Sequence, residues 1–576
     1  MPLSAADGAC YDPRMTGSAF GRREFLGRVA AAPLLLVPGA AKWTESVAHA
    51  GEMSADLVIV GGGLGGCAAA LAAARHGLRV IVTEPTAWIG GQLTQQAVPP
   101  DENRWIETIG GTRSYLALRA GIRNHYRRHR PLTERAKANA RLNPGNGWVS
   151  RLCCEPRVAL AALHEMLAPF VANGRLTILL RHEVLDADVH GDQVRAVRVR
   201  SAEHGGDVVL HAPYVADATE LGDLLPLTKT EYVAGAESRA QTGEPHAKDE
   251  PQPDNVQGFT MSFAMEFLAG EDHAIERPRE YAAWRDTTLT AADGSRYHLV
   301  SFEDADSRRI GFDPVSRKGL WTYRRIIDRD LFVPGTYPGD VTIVNWAQND
   351  YSFGSLIDVG AEAAARHVAR AKQLSLSLLY WLQTEAPRPD GGVGWRGLRL
   401  RPDIVGTADG LAMHPYVRES RRIQAEFTVL EQHVAEEARM LETGRARDDV
   451  TAQPFADSVG IGHYNMDLHL TTRGDRGRFG ATLPFQIPLG ALIPQRMENL
   501  LPACKNLGVT HLTNGCYRLH PTEWNVGESV ANLAAFCLAR QQPPRAVRNS
   551  ATLLTEFQAQ LMQDGLRLTW PRELPR

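Results

Sequence analysis

Residues Asp56–Glu84 read DLVIVGGGLGGCAAALAAARHGLRVIVTE, and this stretch contains every part of a dinucleotide-binding βαβ unit in order. Leu57–Val60 is a short apolar run suited to a buried parallel strand. Gly61, Gly63 and Gly66 follow with G-x-G-x-x-G spacing, with Leu64 and Gly65 completing the motif. The first glycine permits a tight turn, the second lets backbone approach a pyrophosphate, and the third lets an Ala-rich helix over Cys67–Arg75 pack on the sheet. The N-terminus of that helix offers free N–H groups to an anion. Val80–Val82 predicts a second strand, ending near Glu84, whose carboxylate is placed for a ribose diol. A Gly-rich turn alone would account for the glycines, but not for strand, helix, second strand and terminal acid together.

At 576 residues the chain is too long for one ordinary core, so a cofactor domain and at least one other are expected. Hydrophobic content of 44% and charged content of 22% are those of a globular protein. The formal net charge of −3 provides no basic excess to release counterions, which argues against nucleic acid as a partner. No internal apolar span is long enough to require a transmembrane helix.

Residues 1–50 read as an address. Arg22-Arg23-Glu24-Phe25-Leu26 precedes a moderately apolar segment, Val29–Ala41, and Ala48-His49-Ala50 offers an A-x-A cleavage site. This order resembles a bacterial twin-arginine signal, which implies export machinery as a partner and a periplasmic or secreted location. A basic leader without that role, or a misplaced start, is the competing reading. Six of the seven cysteines lie beyond the leader, with no C-x-x-C pair, so no metal site is expected. Adjacent Cys153 and Cys154 are either a vicinal bridge or small buried apolar residues.

Later segments choose the cofactor. Trp88-Ile89-Gly90-Gly91-Gln92-Leu93 follows the second strand, and Cys154-Glu155-Pro156-Arg157-Val158 leads into an amphipathic helix through Leu167. Strands near Leu176–Leu180 and Val194–Val199 precede Val215-Ala216-Asp217-Ala218-Thr219-Glu220-Leu221-Gly222. Near the C-terminus, Tyr517-Arg518-Leu519-His520-Pro521 opens a helical pattern through Arg540, with proline suited to its first turn. This order resembles the FAD-dependent oxidoreductases of the glutathione-reductase-like superfamily. The resemblance implies FAD, an α/β Rossmann-type FAD domain, an adenine contact at Val158, and further contacts from Gly91, Gln92, Asp217 and Ala218. It also implies that Asn525, Val526 and Gly527, near the helix start, address the flavin ring. Glu220 departs from the family pattern, which has glycine there.

The middle of the chain carries no nucleotide motif and is expected to be an inserted mixed α+β substrate domain. The expected division is 1–50 signal, 51–240 first FAD part, 241–489 substrate domain, 490–545 second FAD part and 546–576 extension. Two long helical patterns stand out in it, Gly360–Thr384 and Ser420–Glu442. Tyr416-Val417-Arg418-Glu419-Ser420-Arg421-Arg422 resembles a branch often labelled xanthan lyase-related. Guanidinium groups can hold a carboxylate, and an imidazole or phenol can take a proton. The candidates for that chemistry are His520, Arg518, His463, Tyr464 and Arg418; the arginine cluster reads equally as a salt-bridge network between domains.

The expected reaction is hydride removal from a C–H bond of a small organic substrate, with oxygen, a quinone or a carrier as electron acceptor. A flavin-containing lyase or isomerase on sugar-derived substrates is the rival, as is a non-enzymatic flavin-binding partner of an exported assembly.

Overall fold

Apolar, β-branched runs at Leu57–Val60 (β1) and Val80–Glu84 (β2) lie side by side and parallel, pairing Val58 with Ile81 and Val60 with Thr83. The computed structural model describes residues 51–291, 293–303 and 309–574. The expected twin-arginine leader lies outside them. Leu176–Leu180 (β3), Tyr214–Asp217 (β4) and Leu500–Pro502 (β5) complete a five-stranded parallel sheet in the order β5-β4-β1-β2-β3. Its strands are buried on both faces, as near-continuous Val, Ile and Leu runs require. The chain is α/β, built on this parallel sheet. A strand from residue 500 onward is thus the neighbour of one that ends at residue 217.

Helix α1 (Leu64–Arg75) leaves the G-x-G-x-x-G turn and is buried from Leu64 to Ala74. Alanines on all sides allow that, because neighbours can approach from every direction. Gly65 and Gly66 make the approach close: a Cβ on Gly65 would stand 1.9 Å from the Ala503 carbonyl oxygen. Two further helices, α2 (Arg113–His129) and α3 (Pro156–Ala172), pack on each other.

Beyond this sheet, Arg325–Ile327, Val341–Val344, Phe263–Phe267 and Leu398–Leu400 form an antiparallel sheet in that order. Helix α4 (Ala361–Thr384) covers it with Ala371, Leu374, Leu378 and Leu382 along one face, packed among Phe263, Trp284 and Trp395. Burying one such leucine is worth about 2–5 kcal/mol against alanine.

The expected helix over Ser420–Glu442 is a correction. Arg422–Ile423 instead pairs antiparallel with Tyr232–Val233, and only Glu431–Val434 and Glu436–Thr443 are helical. The arginines at its head read as either a substrate contact or a salt-bridge network. In the structure they point inward: Arg422 is fully buried between Glu419 and Glu237 and also donates to the Gly235 and Val509 carbonyls. Cys153 and Cys154 are free, buried thiols, as are the other four described cysteines.

Candidate active site

The first glycine of the motif adopts φ +100°, and a Cβ there would lie 2.3 Å from the Ala218 oxygen, so only glycine lets β1 turn against β4. Gly61 and Gly63 line one side of a cavity of about 550 Å³. Glu84, Ala218, Glu220 and Val184 line the rest, with His182 and His414 at its edges. Glu84 accepts from Gly62 N–H at 3.1 Å, Thr86 N–H at 2.8 Å and Gln95 Nε2 at 3.0 Å. Burial nonetheless pushes its carboxyl up to about 7. Val158 is buried within α3 and does not line this cavity; Val184, from strand His182–His190, does. Asp217 is turned inward, where its carboxylate accepts from Thr219 and Leu224 N–H groups and ties the turn after β4.

At the N-terminus of α1, Gly65 N–H donates to Glu523 Oε1 at 3.1 Å, so a side-chain carboxylate meets the positive end of the helix. Lys505 bonds Glu220 beside it. Burial pushes the Glu220 carboxyl up, but Lys505 outweighs this and holds it below its ordinary range; burial raises Glu523. Gln92 Nε2 donates to Glu523 at 2.6 Å and to the Arg518 carbonyl at 3.1 Å, and its Oε1 is buried without a partner among the described residues. Gly91 adopts φ +53° and donates to Gln95.

Helix α5 (His520–Arg540) packs its first turns against α1. A Cβ on Gly527 would stand 2.0 Å from the Gly65 oxygen, so Gly527 sets the helix spacing. Asn525 reaches Val459 and Ser529, and Val526 is fully buried. These three residues lie in the second turn, past the free N–H groups of the helix start.

His520, at the start of α5, accepts the Asp101 N–H at Nδ1 over 3.1 Å, while Nε2 is buried with no partner among the described residues. Burial, working against the nearby Asp101, drops its pKa to about 4, so the ring is neutral with its proton on Nε2. Asp101 pairs with Arg324 through both oxygens, Oδ1 at 3.3 Å as an ion pair and Oδ2 at 3.4 Å as a hydrogen bond. Arg518 donates to the Tyr416 hydroxyl at 2.8 Å and the Asp467 carbonyl at 3.0 Å. The Tyr464 phenol, pushed up by burial and then by Asp101 and Asp467, faces the same group. Arg418 stands behind them, paired to Asp350 at 2.9 Å and bonded to Gly258, Thr260 and Asn345. The structure therefore brings together His520, Arg518 and Tyr464, with Arg418 adjoining. His463 points elsewhere, its ring edge-on to Trp105 at 4.9 Å.

A family model described as FAD dependent oxidoreductase matches residues 56–561. The chain belongs to the FAD dependent oxidoreductase family. It is an FAD-dependent oxidoreductase enzyme, and its cofactor is FAD. The residues fit that group: the glycine cradle holds space that a Cβ would fill, and further along Gln92 Oε1 and His520 Nε2 lack partners among the described residues.

Among solved structures, anhydrotetracycline hydroxylase OxyS from Streptomyces rimosus is 12% identical, with 89% of this chain and 66% of that one covered and a TM-score of 0.30. A mutant of quinol fumarate reductase FrdA from E. coli is 13% identical over 89% and 74%, at 0.27. L-proline dehydrogenase from P. horikoshii is 16% identical over 32% and 24%, at 0.17, so the chain spans about a quarter of that protein's length. The search of curated proteins finds no match.

Sequence reasoning did not single out Asp101, Arg324, Lys505, Glu523 or Val184 as site residues. Asp101 and Arg324 stand in unpatterned loops, where no periodicity marks a side chain as inward. Val184 had a signal, an apolar residue in alternation just after β3, but the resemblance drew attention to Val158 instead.

Proposed function

We propose that this FAD dependent oxidoreductase removes a hydride from a C–H bond next to the hydroxyl or amine of a small organic substrate. The observation that carries the reading is the pairing of Asp101 and His520 at the start of α5, an Arg324-held carboxylate beside a buried imidazole whose Nε2 makes no hydrogen bond among the described residues. Bound FAD supplies the two-electron acceptor. Gly61, Gly63, Glu84 and Ala218 would hold its adenosine half, and Gln92 and His520 would stand toward the ring.

For an alcohol, the Asp101 carboxylate accepts the hydroxyl proton as the C–H electron pair departs, and the carbon is left as a carbonyl. Arg324 orients that carboxylate. His520 cannot take the proton at Nε2, because that nitrogen already carries one; it donates to developing negative charge instead. Tyr464, with its hydroxyl proton held on firmly, is a donor as well. Burial of Asp101, Arg324 and His520 strengthens each of these interactions.

The test is the visible spectrum of the purified protein, followed by acid precipitation and identification of the released cofactor. Released FAD, and bleaching of its bands by alcohol or amine substrates without oxygen, would support the reading. Peroxide release then separates an oxidase from a dehydrogenase. Flavin that no substrate reduces while a stable protein partner co-purifies would move the non-enzymatic reading ahead.

Export by the twin-arginine route belongs to the same proposal. Arg22-Arg23, the apolar segment and the A-x-A site support it. Replacing both arginines with lysine should leave the protein in the cytoplasm; continued export would refute the assignment.

A further inference from the structure

Three guanidinium groups meet three carboxylates at this site: Arg324 with Asp101, Arg418 with Asp350, and Arg518 with Asp467. His469 bridges two of the carboxylates, with Nδ1 2.5 Å from Asp350 and Nε2 3.4 Å from Asp467. Burial and Arg418 push its proton off, but Asp350 and Asp467 outweigh them and hold the imidazole above its ordinary value. The three pairs cancel in formal charge, so no surplus negative charge stands at the site to repel an anion.

The arginines are not equally committed. Arg418 is bonded through both terminal nitrogens to four acceptors. Arg324 reaches Asp101 only at 3.3 and 3.4 Å, and its Nε is buried without an acceptor among the described residues. Arg518 Nε is likewise without one, as is Arg418 Nε, so the difference between the arginines lies in their terminal nitrogens. Both guanidinium groups act on the same Asp101, Tyr416 and Tyr464, so they face one region. Asp467 and His469 beside it keep 26% and 23% of their side-chain surface accessible.

We propose that the substrate carries a carboxylate, received by Arg324 and Arg518 beside Tyr464. This rests on the hydride-transfer reading of the same site. With each guanidinium already paired to a carboxylate, a monoanion suits the site better than a dianionic phosphate, and guanidinium nitrogens match its two oxygens. Held there, the carboxylate places the neighbouring carbon of a hydroxy or amino acid near Asp101.

The experiment is calorimetric titration of the purified, flavin-loaded protein with acetate and benzoate, against acetamide, benzamide and phosphate, with the flavin spectrum recorded in parallel. Both carboxylates should bind and perturb the spectrum, and the amides should bind at least roughly tenfold more weakly, since a charge-assisted hydrogen bond is at stake. Arg324→Met and Arg518→Met should each weaken benzoate binding by a similar factor. If either variant fails to fold, the carboxylate-to-amide comparison on the unaltered protein still decides. Equal binding of acid and amide, no binding of either carboxylate at millimolar concentration, or preference for phosphate would overturn the proposal. Carboxylate binding by a protein that no alcohol or amine substrate reduces would instead remove the hydride-transfer reading and leave the anion site standing.

Discussion

The backbone N–H of Asp101 donates to Nδ1 of His520 over 3.1 Å, and that bond decides which ring nitrogen carries the proton. With burial holding the imidazole near 4, His520 is a donor at Nε2 across the physiological range. His520→Phe should keep FAD but lower kcat roughly 10- to 1,000-fold, the range for losing one donor to developing charge. The kcat–pH profile of the native enzyme should show no ionisation near the ordinary histidine value of about 6.5. A limb at that pH, abolished in the variant, would return His520 to the role of base.

Asp101 should then be the group whose loss stops proton transfer. Asp101→Asn preserves shape and the bond to His520, because that bond is made by backbone. Substrate reduction of the flavin, followed by stopped-flow absorbance, should slow about 10²- to 10⁴-fold with flavin content unchanged. An undiminished rate would remove Asp101 from the mechanism.

Two glycines with different neighbours should fail in different ways. Gly63 borders the cavity, and a side chain there projects toward Glu220 and the Ala218 oxygen. Gly63→Trp should fold and purify without FAD; normal flavin content in a folded variant would refute the cradle. Gly527 sits between helices, so Gly527→Ala should lower stability by about 1–3 kcal/mol as α5 is forced away from α1. Thermal denaturation reads that difference.

Glu84 gives FAD retention a pH dependence. Its carboxyl is raised from 4.5 to about 7 by burial, against the hydrogen bonds from Thr86 and Gln95. The folded apoprotein therefore binds more protons than the unfolded chain between these values, and this residue's contribution to stability falls as pH rises through that window. A ribose diol donating to the ionised carboxylate would offset the cost. FAD should accordingly dissociate more slowly at about pH 8 than at about pH 6, on either side of that value, and Glu84→Gln should flatten that dependence. Fluorescence of released flavin measures both.

Glu419 behaves in the opposite sense. His511 and Arg422 overcome its burial and hold its carboxyl at about 2, so its contribution is present above about 4.5 and is lost as pH falls toward 2. Glu419→Leu removes the carboxylate partner of His511 and leaves the buried Arg422 with Glu237 alone, and it should cost about 3–5 kcal/mol, measured by denaturant titration.

Much of this protein was legible in one dimension. The βαβ unit of residues 56–84 is local: strand, glycines, helix and acid are consecutive, and each constrains only its neighbours' backbone. The amphipathic spacing of α4 and the proline-led start of α5 are local in the same way, and both stand within one residue of their expected bounds.

Charge clusters are not local, and there the sequence misled. The pattern predicts a helix from Ser420, and the arginine cluster reads equally as a salt-bridge network; the partners of Arg418–Arg422 come from residues 223, 237, 350, 358 and 511, and those decide that the segment is extended and buried. His520 was identifiable as a candidate by its place before a helix. Its tautomer, and with it the exchange of roles with Asp101, depends on a backbone group 419 residues away. The sequence by itself determined the cofactor class, because phosphate recognition is done by backbone in a short motif. Only the tertiary structure decided the chemistry around it, because the protonation state and orientation of a buried side chain are set by groups from distant segments.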